Sequence, residues 1–295
     1  MMNRSSQASV NALEILKSTS RTFFIPISLL PQPLQDAVAS AYLCMRAIDE
    51  VEDHPGLDAC VKCDLLERIS RALQSLGGMV VTRSEHFQFL QPYLDTLPEV
   101  TLRLRQWIEL SPADIAPRIL EATAAMADRM AAWARRSWLI RTVTDLDHYT
   151  FSVTGSVGLL LSDIWAWHDG TVTNRQQAVG FGRALQSVNI LRNRAEDLAR
   201  GVDFYPQGWS DVEMREYALA NLSLAVEYTR ALPAASPAQN FCKIPLGLAY
   251  ATLTALKHGL EKLSREMVSE LVSQLTRPGA PLPDFAGLYH SIAAS

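Results

Sequence analysis

At 295 residues, 48% of them hydrophobic and 20% charged, the chain is long enough for one large core or two small ones and buries a substantial interior. Its formal charge of −4, with no block of like charges, excludes a sequence-independent grip on nucleic acid, and no nucleic-acid partner is expected. The four cysteines are too sparse for a secreted disulfide framework. The first twenty residues hold no apolar signal core, and apolar runs such as Val157 to Leu161 are too short to span a bilayer, so a cytoplasmic protein is expected.

Taken in chain order, apolar residues recur three and four apart almost throughout, which predicts an all-α fold. Pro31 and Pro33 precede a helix running to about Asp53, which His54-Pro55-Gly56 stops. Cys60 and Cys63 form a CxxC, but neither further zinc ligands nor a βαβ context accompanies it, so two thiols on one helical turn is the better reading. Ser111-Pro112 starts a helix that continues to about Arg136. Thr144, with Asp145 and Asp147 in the first turn, opens one that closes near Asp169-Gly170. Asn174 caps a helix ending before Gly201, and Ser210 with Glu213 forms a capping box for the next, which Pro233 ends. A last helical stretch follows Pro245 and runs to about Leu275. No linker or repeat interrupts the series, so one domain over 1–295 is expected, with residues 1–10 and 277–295 loose or laid on the surface.

Two polar stripes stand out. Asp49 and Asp53, four apart, share a helix face that runs back through Arg46, Met45 and Tyr42 into apolar residues, as the wall of a cavity would. Gln186, Asn189, Asn193, Glu196 and Asp197 line another face, on a helix whose Val188, Ile190 and Leu191 also need burial. A buried hydrogen-bond network explains the second stripe alone. Two oxygen-rich stripes facing each other would instead hold a hard divalent cation, and magnesium, held by one or two carboxylates together with substrate phosphates, fits best. Arg46, Arg192 and Arg194 accompany the stripes with guanidinium forks suited to phosphate oxygens. Gly155, Gly158 and Ser162 share a face that serves either tight helix packing or a slot for a hydrocarbon tail.

These residues resemble the squalene and phytoene synthase family from about Ser18 to Leu271. Ser20-Arg21-Thr22-Phe23 and the run from Tyr42 through Arg46 and Asp49 to Asp53 are similar to its SR[ST]F and YxxxRxxDxxxD elements. Tyr149 with Val153-Thr154-Gly155-Ser156-Val157-Gly158 resembles its YxxxVAGxVG segment, and Leu185 to Arg192 its LQxxNIxR lead-in to a second aspartate-rich motif. The resemblance implies an isoprenoid-synthase helical bundle with a central apolar cavity. It also implies a magnesium-dependent enzyme that ionises farnesyl or geranylgeranyl diphosphate and condenses two prenyl diphosphates head to head to a C30 or C40 product.

By that resemblance Asp49, Asp53, Asn189 and Asp197 would be metal ligands, with Asn193 offering a carbonyl oxygen among them. Ser20, Arg21, Thr22, Tyr42, Arg46, Gln186 and Arg192 would bind the substrate, Tyr250 would join them on a weaker match, and Tyr149 would act in catalysis. Two departures from the pattern matter. Asn193 stands where the second motif usually begins with aspartate, and Val202 follows Gly201 where Gly-Arg is usual. The first removes a charge from the metal site, which opens a prenyl diphosphatase releasing farnesol, or a C15/C20 terpene synthase, as alternatives. An inactive helical binding protein is a third. No dinucleotide fingerprint bears on NADPH, which stays undetermined. A lipid product is compatible with peripheral membrane contact, although no basic amphipathic helix demonstrates it.

Overall fold

The structure is a computed structural model that describes residues 4–77, 84–260, 262–277 and 282–285. Every regular element among them is helical, as the periodicity implies, and none of their helices is long and apolar enough to cross a membrane. Backbone contacts group the chain into two compact units, one of Met1–Leu139 with Ala166–His168 and one of Ile140–Trp165 with Asp169–Ser295.

The first unit holds α1 (Arg4–Thr19), α2 (Arg21–Ser28), α3 (Leu34–Glu52), α4 (Ala59–Ser75), a 3-10 segment (Ser84–Tyr93), α5 (Glu99–Leu102), α6 (Leu104–Leu110) and α7 (Ala116–Arg135). Residues 4–10 form the first turns of α1, whose Ala12 and Leu16 are buried farther along the helix. In α3 the buried positions extend beyond one stripe, because Ala37, Ala39, Ala41 and Ala47 are small enough for α5, α6 and α7 to pack against it. Two buried side chains pin its backbone neighbourhood. Ser40 Oγ donates to the Trp107 carbonyl at 2.7 Å, and Thr101 Oγ1 donates to the Ala47 carbonyl at 2.8 Å. The CxxC lies on the first turns of α4, where Cys63 is buried against the Ala131 carbonyl and Cys60 is exposed.

The second unit holds α8 (Val143–Thr150), a π segment (Phe151–Gly155), α9 (Ser156–Asp169, of which Ala166–His168 group with the first unit), α10 (Arg175–Ala199), α11 (Asp211–Ala231), α12 (Pro237–Lys257) and α13 (Arg265–Leu275). The cap of α8 is Thr142 rather than Thr144. Its hydroxyl accepts from Asp145 N at 3.1 Å, and the Asp145 carboxylate accepts from Thr142 N at 3.0 Å. The stretch expected to begin after Pro245 is two helices. Ser236 caps α12 ahead of Pro237, Pro245 lies inside that helix, and Gly259 at φ +75° separates it from α13. Phe285, in the tail expected to be loose, is 1% exposed and stacks on Tyr250 with ring centroids 5.8 Å apart.

Tight packing, not a slot, accounts for the glycines after Tyr149. A Cβ on Gly158 would lie 1.9 Å from the Ala178 carbonyl oxygen of α10, and one on Gly182 of α10 would lie 2.0 Å from the Thr154 carbonyl oxygen of the π segment. The two close approaches are reciprocal and fix the axial register of α10, and with it the polar stripe that follows. Gly158→Ala or Gly182→Ala is expected to lower stability in urea melts by about 3 kcal/mol or more, because neither the Cβ nor the carbonyl has a rotamer to escape into. Gly155→Ala should cost less, since its Cβ would meet side-chain atoms of Phe151 and Val179 at 3.3 Å.

Candidate active site

In the first unit the site begins at the N-terminus of α2. Ser20 is its N-cap, accepting from Phe23 N at 3.2 Å, so the SRTF element is a helix start whose serine already serves the backbone. Its hydroxyl also hydrogen-bonds Tyr42 of α3, whose ring lies 5.4 Å from that of Phe23. Burial raises the Tyr42 phenol. Thr22 is exposed, and the Arg21 side chain lies outside the described residues.

One turn farther along α3, Arg46 donates to Asp49 at 2.5 Å and also pairs with Glu50. Burial works against the Arg46 charge, but Asp49 and Glu50 more than offset it and raise its pKa. Its Nε is buried without a hydrogen-bond partner. Asp49 is pushed up to about 7, chiefly by burial and then by the Asp53 carboxylate, while Arg46 opposes the shift. The carboxylate still keeps 31% of its side-chain surface, so a cation can reach it. Asp53 is the C-cap of α3 and exposed, and its N–H donates to the Asp49 carbonyl at 2.9 Å. The structure therefore brings Ser20, Tyr42, Arg46, Asp49 and Asp53 into one neighbourhood.

Sequence reasoning passed over the residue between the aspartates. Glu52 is 4% exposed and accepts from Trp138 Nε1 at 2.6 Å, and burial pushes its carboxyl up to about 8. Only its burial signals it, and burial at a helix end is not written in local spacing.

In the second unit Tyr149 is buried and stacks on Phe204 with centroids 4.5 Å apart at 17°. Along α10, Gln186 is half-buried, Asn189 exposed, Asn193 half-buried and Asp197 buried. Arg192 Nε donates to Asn193 Oδ1 at 3.0 Å, and Asp197 is ion-paired with Arg200. Glu196 leaves the stripe for Lys262 at 3.0 Å. Arg194 does so too. It binds Asp203 at 3.2 Å and Asp211 at 3.0 Å and lies 3.7 Å over the Tyr205 ring, so it holds the loop after α10 instead of waiting for phosphate.

That loop explains Gly201-Val202. Gly201, at φ +82°, donates to the Leu198 carbonyl, and Val202 N donates to the Asp197 carbonyl at 3.0 Å, a Schellman closure that requires the left-handed glycine and uses only the backbone of residue 202. Tyr250 of α12 is buried against Phe285, and burial raises its phenol.

The donor set fits magnesium. No group of three or more His, Cys, Asp or Glu side chains gathers into a cage among the described residues, and magnesium is seldom caged by protein alone; it takes one or two carboxylates, waters and substrate phosphates. An open depression of about 570 Å³ on α4 and the 3-10 segment, lined by Asp64, Arg68, Arg71, His86 and Phe89 among others, includes none of these site residues.

The family model described as squalene/phytoene synthase matches residues 16–212. Squalene synthase of Schizosaccharomyces pombe is 26% identical over 279 residues, covering 82% of this chain and 58% of its own. That of Homo sapiens is 28% identical over 268 residues, covering 81% and 61%. Squalene synthase BSS of Botryococcus braunii is 32% identical over 194 residues, covering 63% and 40%. The chain thus spans about three-fifths or less of these relatives. Among solved structures, TcSQS in complex with the ligand BPH1237 matches with a TM-score of 0.74 at 21% identity over 97% of this chain and 90% of that one. A dehydrosqualene synthase in complex with ligand matches with a TM-score of 0.62 at 17% identity over 92% and 96%. At these identities the two structures show a shared fold.

Proposed function

Since the chain belongs to the squalene/phytoene synthase family, we propose that it ionises farnesyl or geranylgeranyl diphosphate with magnesium and joins two such substrates head to head into a C30 or C40 product. The observation that carries this reading is the end of α3. There, Asp49 and Asp53 stand one turn apart beside an Arg46 whose Nε is buried and unpaired. Two carboxylates one turn apart suit a cation, and a guanidinium with a spare donor suits an anionic oxygen. When bound, magnesium supplies positive charge to the diphosphate as its carbon–oxygen bond breaks.

On this reading Asp49 and Asp53 provide hard oxygen ligands, as the family resemblance also implies for Asn189, Asn193 and Asp197. Arg46, Arg192 and Gln186 hold diphosphate oxygens, with Ser20, Arg21, Thr22, Tyr42 and Tyr250 as further substrate contacts. On this reading Tyr149, buried and stacked on Phe204, supplies an apolar aromatic ring that an allylic cation tolerates. The electron pair of the broken bond leaves with the diphosphate. The double bond of a second prenyl diphosphate captures the cation and a proton is lost, giving a cyclopropyl intermediate.

Asn193 favours a second reading. Its amide oxygen carries no charge and already accepts from Arg192, so the reaction could stop after ionisation, with water taking the cation to give farnesol or with the cation closing on itself to a C15 or C20 terpene. Incubation with farnesyl diphosphate, with and without magnesium, followed by mass spectrometry of the organic phase, decides by carbon number. A magnesium-dependent C30 product is expected, and Asn193→Asp should raise its yield at least tenfold at limiting magnesium. Farnesol or a cyclic C15 product from the unaltered chain would establish the second reading. No turnover of either farnesyl or geranylgeranyl diphosphate would leave a helical binding protein.

A further inference from the structure

Helix α7 ends at Arg135 in a tight reversal that carries Trp138 back onto the end of α3. Ser137 and Trp138 are consecutive residues in the left-handed region, at φ 51° and 49°, and neither is glycine. Each such residue costs about 1 kcal/mol or more, and it persists only where its surroundings over-determine it. The reversal is held by Ser137 N donating to the Ala134 carbonyl and Trp138 N donating to the Trp133 carbonyl, each at 3.0 Å. These two bonds are a Schellman closure of α7, and the residue that follows the turn, Trp138, has its Nε1 2.6 Å from Glu52 Oε1.

A second grip comes from α4. Lys62, itself only 9% exposed, donates from Nζ to the backbone carbonyl of Glu52 at 2.6 Å and lies 5.1 Å over the Trp138 ring. Glu52 is the last residue of α3, so its carbonyl is among the last four that a helix leaves unpaired, and an ammonium there also complements the helix dipole. The grip closes a triangle. Trp138 holds the side chain of Glu52, Lys62 holds its backbone, and Lys62 rests on Trp138. The peptide that Lys62 fixes is the one leading into Asp53, and Asp49 lies one turn back on the same helix end.

We propose that Trp138 and Lys62 are positioning residues that clamp the last turn of α3 through Glu52 and so fix where the Asp49 and Asp53 carboxylates point. This rests on the reading that those carboxylates bind metal. The test is titration with manganese as a spectroscopic stand-in, free ion being counted by electron paramagnetic resonance, on the full chain and three variants. Trp138→Phe keeps the ring and removes the N–H. Lys62→Met keeps the stem and removes the ammonium. Trp165→Phe deletes an indole N–H that is more deeply buried than that of Trp138 and donates to the Tyr228 hydroxyl at 3.1 Å in the second unit, and is the control for lost stability alone.

Manganese affinity is expected to fall at least fivefold in Trp138→Phe and in Lys62→Met and to stay within twofold in Trp165→Phe. Unchanged affinity in both clamp variants, whatever their melting temperatures, would reduce the clamp to a stabilising contact and overturn the proposal. Should Trp138→Phe fail to fold, Lys62→Met decides alone. If the unaltered chain binds no manganese, the metal reading itself fails and the positioning role falls with it.

Discussion

Asp49→Asn is expected to lower magnesium-dependent turnover of a prenyl diphosphate by about a thousandfold, equivalent to roughly 4 kcal/mol of transition-state stabilisation. The substitution keeps the shape of the side chain and one carbonyl oxygen but removes the charge that a hard cation recognises. It also releases Arg46 from its 2.5 Å contact with Asp49, which leaves a guanidinium paired only with Glu50 and no longer aimed by the ligand beside it. Asp53→Asn should be less severe, at about a hundredfold, because Asp53 is exposed where Asp49 is half-buried and water can take part of its place. Single-turnover release of diphosphate measures both. Folding is not at issue for Asp49→Asn. A neutral amide there removes the repulsion from Asp53, so thermal melts without magnesium should show the variant at least as stable as the unaltered chain. Wild-type turnover in Asp49→Asn would remove the α3 cluster from the chemistry altogether.

The parts of the fold legible in the sequence are those written locally. Asn174 and the Ser210–Glu213 box cap the helices where their spacing places them, because an N-cap is a contact between residues two or three apart. Likewise Tyr42, Arg46 and Asp49 lie on successive turns of one helix and meet as helical periodicity requires. What escaped depends on partners far along the chain. Glu52 reads as one more surface acid until Trp138, 86 residues on, buries it. Arg194 reads as a phosphate ligand until Asp203 and Asp211 claim it. The Gly155–Gly158 face left two readings open because a missing side chain looks the same whether a hydrocarbon or a helix fills the space. The Ala178 carbonyl decides it. At the C-terminus, the stacking of Phe285 on Tyr250 joins residues 35 apart, which local periodicity does not announce.

The second large effect is on pH dependence. Asp49 has an ordinary value of 3.8 and a folded value of about 7, raised by burial and then by Asp53 and Glu50, with Arg46 pulling the other way. A carboxyl whose folded pKa is raised contributes stability that is fully present below about 3.8 and is lost as pH rises through about 7, so the metal-free protein should become less stable across that window. Magnesium binds only the ionised form. Its apparent affinity should therefore climb about tenfold per pH unit up to about 7 and level off above it, and the shift in melting temperature at fixed magnesium should follow. The two slopes have opposite signs, which separates metal binding from the proton release of the metal-free protein in a single series of melts between pH 5.5 and 8.5. Tyr42 and Glu52 also face this end of α3. The Tyr42 phenol, raised from an ordinary 10.0, stays neutral throughout the window, while Glu52 titrates near 8, so a break at 8 in place of 7 would assign the slope to Glu52. Asp49→Asn should flatten the magnesium slope; a slope that survives the substitution would mean that the proton competing with the metal sits on another group.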